Sequence, residues 1–254
     1  MLGEERRNYL MNIIAKTGSI KANDIAKTLG LSEITIRRDL EKLDEKGLIK
    51  RTHGGAINIY FDGNGRKHDL QKEELTDEKK RIAFSASSLI EEDSVILIEA
   101  GITGYYIALN ITNKKNLTII TNSCDIAAML GDTNPDYKII LSGGVLNPLT
   151  RSLSGPIADS TFRSTFVDKA FLEIGGIDIN KGITAADPIE AQTKRYMINS
   201  AKNIIVVSDH SKVGRIAMNF VAPVKVINTL ITDGETEKEF IDKLQELEID
   251  SIVV

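Results

Sequence analysis

From residue 76 to the C-terminus, short runs of β-branched residues alternate with stretches of helical period. That alternation restricts the fold of this 254-residue chain more than any other feature. The runs are "SVILIEA", "LTIIT", "YKIILSGG", "KAFLEIGG", "NIIVVSD", "KVINTLITD" and "DSIVV". Between them the spacing predicts helices over 77–90, 105–111, 123–130, 156–162, from 187 onward and over 236–247. Strands joined by helices lie parallel, and strands covered on both faces read as near-continuous apolar runs. The expectation is an α/β domain over 76–254 built on a mostly parallel sheet. Two helix starts carry their own marks. Asp187 stands as a cap before Pro188, with Glu190 at the third position, and Thr236 with Glu239 forms a capping box.

The first 57 residues follow a different pattern. "GEERRNYLMNIIAKTG" and "KANDIAKTLG" are short helical segments ended by Gly18 and Gly30. "LSEITIRRDLEKLDEKG" begins at Ser32, a good N-cap, with Glu33 in the first turn, where a negative charge suits the helix dipole. Ile36, Leu40 and Leu43 form its buried stripe, and Gly47 ends it. "LIKRTHGGAINIY" then reads as a β-ribbon folded at Gly54-Gly55. Helix, helix, tight turn and helix is a helix-turn-helix order, and the ribbon is built like a wing. "FDGNGRKHDLQKEELT", polar and dotted with glycine, reads as a linker, giving 1–57 as a DNA-binding domain, 58–75 as linker and 76–254 as the larger domain.

Charge decides between a DNA-reading helix and an ordinary solvated one. The chain as a whole carries a net −4, but residues 1–60 hold 11 basic and 8 acidic side chains, a net +3, which leaves −7 on the remainder. A basic module on an acidic body suits a nucleic-acid partner. With the apolar stripe turned inward, Thr35, Arg38 and Lys42 share the outer face of the third helix, with Arg37 on its flank. Arginine there can pair with guanine edges, and a threonine methyl can pack on thymine. Lys50, Arg51 and His53 supply positive charge on the wing, beside glycines that allow close backbone approach to phosphate. Glu41, Asp44 and Glu45 read as solvated, and Asp39 as the brace of an arginine.

In the larger domain, polar loops follow the strands, where parallel sheets place their ligands. Gly101, Thr103 and Gly104 offer backbone N–H groups, a hydroxyl and a helix N-terminus, a combination that suits an anion such as phosphate. Thr121, Asn122 and Ser123 repeat the chemistry one strand along, although Ser123 also fits a plain helix cap. "SGGV" and "KGIT" add Gly143, Gly144 and Thr184, and Lys212 can reach a phosphate or sugar oxygen.

Other classes are disfavoured. A single Cys124 permits no intrachain disulfide, and His53, His68 and His210 lie far apart in the sequence. No apolar run approaches the ~18–20 residues of a membrane span, and "MLGEERRNYL" lacks the apolar core of a signal peptide. A cytoplasmic protein without metal or cofactor is expected. No G-x-G-x-x-G follows a strand, so a dinucleotide-dependent dehydrogenase has no support.

"SEITIRRDLEKLDEKGLIKRTHGGA" closely resembles the N-terminal signature of the DeoR family of bacterial transcriptional regulators, through "TIRRDL", "GLIKR" and "HGG". "EKKRIA", "TNS", "SGGV", "SLSGP", "DKAFL", "GID…GIT", "IEA" and "DHSKVGR" extend the resemblance to that family's effector domain. It implies a winged helix-turn-helix and an α/β domain similar in fold to ribose-5-phosphate isomerase. It also implies a repressor of carbohydrate-metabolism genes that binds double-stranded operator DNA as a homo-oligomer, dimer or tetramer, and answers to a sugar phosphate. Thr35, Arg37 and Arg38 become the groove contacts, with Lys42 on the same face and Arg51 and His53 nearer the backbone. Gly101, Thr103, Gly104, Thr121, Asn122, Gly143, Gly144, Thr184 and Lys212 become the effector residues.

Two departures stand out. Ile102 removes a hydroxyl from the phosphate loop. Glu173 replaces a usual glycine, and either faces the pocket, where it repels phosphate, or points to solvent. An isomerase needs a positioned carboxylate base, and Gly175 stands where the resemblance would put it. The enzyme reading is therefore set aside.

Overall fold

The computed structural model describes residues 6–7, 9–10, 13–14, 19–45, 49–52, 54–58 and 75–254. The chain divides into two compact units, Met1–Asp69 and Leu70–Val254. The helix ends expected at Gly18 and Gly47, and His53 of the wing, lie outside the described residues.

In the first unit, residues 6–7, 9–10 and 13–14 are helical (α1), followed by β1 (Ser19–Lys21), α2 (Ala22–Leu29), α3 (Glu33–Glu45), β2 (Ile49–Thr52) and β3 (Gly55–Asn58). The three strands form one antiparallel sheet in the order β1-β3-β2. Gly30 ends α2 with φ of 63°, the left-handed cap that glycine adopts most cheaply. Leu10, Ile14, Ile25, Ile36, Leu40, Leu43 and Ile49 close a small core. The wing glycines have a structural use that sequence reading missed. A Cβ on Gly55 would collide with the Ile20 carbonyl of β1, and the Gly54 carbonyl accepts the Ala22 N–H at the start of α2 (2.9 Å).

The second unit is organised by a seven-stranded parallel sheet, order β15-β14-β12-β9-β4-β5-β6. Its strands are β4 (Val95–Ile98), β5 (Thr118–Thr121), β6 (Lys138–Leu141), β9 (Val167–Leu172), β12 (Ala201–Val207), β14 (Thr229–Thr232) and β15 (Asp250–Val253). These fall within the seven runs read from the sequence. Successive side chains alternate between two cores, as a two-residue period requires. Ile96, Ile98, Phe171, Ile205 and Val207 join α4 (Thr76–Ser88), α5 (Ile102–Asn110) and α6 (Cys124–Thr133) on one face. Leu97, Ala170, Leu172, Ile204 and Val206 join α7 (Pro156–Arg163), α8 (Pro188–Ser200) and α9 (Lys238–Glu246) on the other. Each fully buried Leu, Ile or Phe here contributes about 1.5–3 kcal/mol.

Four features depart from expectation. A hairpin, β7 (Val145–Leu146) with β8 (Leu153–Ser154), and an antiparallel sheet of β10 (Gly176–Asp178), β11 (Gly182–Ala185) and β13 (Asn219–Ala222) were not foreseen. Helix α5 starts three residues early, at Ile102, so the glycine loop is its first turn. The last helix begins at Lys238 rather than Thr236, with no side-chain cap, because the Thr236 hydroxyl bonds Thr232 instead (2.6 Å). Asp187 does cap α8, accepting from Ile189 and Glu190 N–H (2.8 and 2.9 Å).

Candidate DNA-reading face and effector site

Helix α3 starts as its sequence dictates. The Ser32 hydroxyl accepts the Thr35 N–H (3.3 Å) and bonds the Thr35 hydroxyl (2.8 Å). Asp39, expected to brace an arginine, is buried and holds two from α1: Arg6 Nε and Arg7 Nη1. It locks the third helix onto the first. Arg37 turns back on Glu33, one helical turn away, with Nη2–Oε1 at 2.6 Å. Arg51 of β2 reaches Glu41 of α3 (3.0 Å), and its backbone N–H donates to Asp44 (3.2 Å). Glu41 and Asp44, read as merely solvated, thus tie the ribbon to the helix. Arg38 and Lys42 differ. Both are exposed, and neither makes a hydrogen bond or ion pair with any described residue. The third helix therefore presents two unpartnered cations on one face, beside a half-buried Thr35.

In the second unit seven of the nine expected residues lie at the ends of β4, β5 and β6 or just after them, whereas Thr184 lies on β11 and Lys212 follows β12, and much of their bonding capacity is used internally. Asn122 is buried, accepts the Ala100 N–H (2.8 Å) and donates to Leu153 O (3.1 Å). It couples the β4–α5 loop to the hairpin. Thr121 is fully buried and its hydroxyl accepts the Ser123 N–H (3.0 Å). Ser123 caps α6, accepting from Ile126 N–H (3.2 Å). Gly143 and Gly144 have φ of 70° and 119°, and a Cβ on Gly144 would press on Ser154 O, so the turn itself demands them. The Thr184 hydroxyl, on β11, donates to Gly176 O (3.1 Å) and accepts from Ala217 N–H (2.8 Å). Lys212 lies in the turn His210–Lys212 after β12, half-exposed.

The first turn of α5 is less satisfied. Thr103 is only 2% exposed, yet its hydroxyl has no partner among the described residues, and the N–H groups of Ile102 and Thr103 have no acceptor there. An unpaired buried hydroxyl costs about 1–3 kcal/mol. Only the Gly104 N–H is engaged, donating to Glu173 Oε1 (2.9 Å).

Around that turn sits a cluster of buried charge that sequence reading did not assemble. Lys194 of α8 is almost fully buried and donates to Glu99 Oε1 at the end of β4 and to the Glu173 carbonyl (2.6 Å). Glu99 Oε2 accepts the Glu173 N–H (3.0 Å). Lys79 of α4 approaches Asp209 at 4.0 Å. Burial drives the Glu99 carboxyl up to about 6 against the pull of Lys194. Burial likewise raises Glu173 to about 7; the Gly104 N–H opposes that shift and the Glu99 charge adds to it. Burial works against the Lys194 ammonium, but the charges of Glu99 and Glu190 outweigh it and hold its pKa above the usual value. One signal did exist in the sequence: Lys194 lies on the stripe of Ala191 and Ile198, where a lysine is out of place unless it is paired. Glu190, read as completing a cap, instead faces Lys194 one turn on (3.6 Å).

A cleft of about 660 Å³ opens at the opposite ends of the strands, lined in part by Leu89, Thr229, Gln245, Ile249 and Ile252. Among the described residues no helix is long and apolar enough to cross a membrane.

A helix-turn-helix with a strand ribbon, joined in one chain to a parallel α/β domain, defines a DNA-binding regulator with a sensor. The model of the DeoR-like helix-turn-helix domain matches residues 6–60, and that of the DeoR C-terminal sensor domain matches 74–234. The chain belongs to the DeoR family of transcriptional regulators, and the relatives it matches are regulators rather than enzymes. It is 30% identical to the HTH-type transcriptional regulator GlpR of Haloferax volcanii, over 100% of this chain and 98% of that protein. It is 34% identical to the glycerol-3-phosphate regulon repressor of Escherichia coli, over 91% and 90%. With the transcriptional repressor AccR of Agrobacterium fabrum the identity is 31%, over 92% and 90%. Among solved structures, ribose 5-phosphate isomerase from Plasmodium falciparum superposes with a TM-score of 0.39 at 16% identity, over 53% of this chain and 52% of that one.

Proposed function

We propose that this regulator is a cytoplasmic repressor of carbohydrate-metabolism genes. Residues 1–57 bind double-stranded operator DNA, residues 58–75 link, and residues 76–254 bind a sugar phosphate and oligomerise. The observation that carries the DNA half is the pair Arg38 and Lys42, exposed on α3 and unpartnered among the described residues, while Arg37 and Arg51 are engaged by neighbouring acids. In this reading Thr35 and Arg38 meet base edges, Arg37 leaves Glu33 to join them, and Lys42, Arg51 and His53 meet phosphates. Two-fold symmetric operators require at least a dimer.

The effector enters at the strand ends. Gly101, Thr103 and Gly104 take the phosphate on the first turn of α5, and Lys212 faces a ligand oxygen. Thr121, Asn122, Gly143, Gly144 and Thr184 shape the surrounding loops through the bonds described above. The ligand releases DNA by binding the non-operator conformation more tightly, since only differential affinity shifts an equilibrium.

The test is binding of the full chain to DNA upstream of its own gene across a salt series, with and without a panel of sugar phosphates. Selective, salt-dependent binding abolished by one compound is the expected result. Selective binding that no compound alters overturns the effector half, and no selective binding at any salt overturns the operator half.

A further inference from the structure

Glu173 is the residue that the resemblance leaves unexplained, and its carboxylate lies on the first turn of α5. It accepts the Gly104 N–H (2.9 Å) and lies so close to Gly101 that a Cβ there would strike both carboxylate oxygens. The donors beside it are those that find no partner among the described residues: the Ile102 and Thr103 N–H groups and the buried Thr103 hydroxyl. A helix first turn favours a negative group, and here the chain supplies one of its own.

We propose that Glu173 determines which ligands the sensor accepts: its carboxylate is a built-in competitor for the anion cradle of α5, and an anionic ligand group takes the cradle only when that carboxylate is neutralised or withdrawn. This rests on the reading of that turn as the phosphate site. The charges facing Glu173 bear on the competition. Glu99, from β4, already neutralises Lys194 of α8, with Glu190 beside it, and Lys79 of α4 is drawn toward Asp209. Lys79 and Lys194 still favour the ionised form of Glu173, but both are shared with other carboxylates, Asp209 and Glu99, and do not offset its burial. Burial places the titration of Glu173 at about 7, so the competition changes across the physiological range. Glu99, at about 6, titrates below it.

Sulfate is the probe, because its charge is constant over this range whereas that of a phosphate monoester is not. Calorimetric titration of the full chain with sulfate, at fixed ionic strength in chloride, compares the native protein with Glu173→Gln and Glu173→Gly at pH 6 and pH 8. If only the neutral form admits the anion, native affinity weakens about tenfold from pH 6 to pH 8, in step with the competent fraction. Glu173→Gln keeps its pH 6 affinity at pH 8, and Glu173→Gly, which clears the space, binds at least as tightly at both. Selenate soaked into crystals of Glu173→Gly should show its anomalous peak at the Gly104 N–H.

Native protein and both variants binding sulfate equally at the two pH values would overturn the role of Glu173 and leave the phosphate site standing. No sulfate binding even by Glu173→Gly, or a selenate peak elsewhere, would overturn the site itself and the inference with it.

Discussion

The two units treat charge in opposite ways. In the first, charged side chains lie on the surface in short-range pairs such as Arg37–Glu33 and Arg51–Glu41, and the reading face keeps Arg38 and Lys42 without a partner among the described residues. The second also has surface pairs such as Lys243–Glu239, but adds a charge cluster at the strand ends inside the fold, with Lys194 and Glu99 at 2% and 4% side-chain exposure. Surface pairs are weak and can be exchanged for contacts with DNA phosphate. Buried charges cannot be exchanged without a replacement, which gives a sensor a sharp dependence on what enters.

The contrast can be broken first at Lys194. Lys194→Met strands Glu99 in the interior and should cost about 3–5 kcal/mol of stability by urea unfolding; adding Glu99→Gln should recover much of it. A loss within error would mean that the pair is not needed for the fold. The exception within the first unit is Asp39, the buried brace of Arg6 and Arg7. Asp39→Ala should cost about 2–3 kcal/mol, and operator binding should fail although Asp39 touches no DNA. Unchanged melting of that unit would remove the exception.

Arg38→Ala should lose about 1–3 kcal/mol on a specific operator, whereas Arg51→Ala should weaken all sequences alike and lower the salt slope by about 1. Equal losses on specific and random DNA for both would undo the division between base and backbone contacts. A pH-dependent effect sharpens the other side of the comparison. Glu173 has its pKa raised by folding, so the stability it contributes is present below about 4.5 and is lost as pH rises through about 7. The native chain should therefore lose about 2–3 kcal/mol relative to Glu173→Gln between pH 5 and pH 8. Parallel pH profiles for the two proteins would show that the carboxylate is not held away from water.

Much of the fold was legible because its signals are local. Six of the seven sheet strands are rich in β-branched residues and the seventh, β9, ends in the apolar run Ala170–Leu172, while Ser32, Gly30, Ser123 and Asp187 announce helix ends within a few residues. β10 and β11 were missed because they are three and four residues long and begin at Gly176 and Gly182, which read as turns. The start of α5 was missed because its N-cap, Gly101, offers no side chain.

The sequence by itself determined the order of elements, the parallel sheet, the helix-turn-helix and the face on which Arg38 and Lys42 lie, since all of these follow from periodicity along a few turns of chain. Only the tertiary structure decided where the buried charges meet. Lys194 finds Glu99 across 95 residues, and Glu173 reaches Gly104 across 69. No pattern along the chain encodes such a meeting, because a buried ion is stable only where the packed sheet delivers its partner.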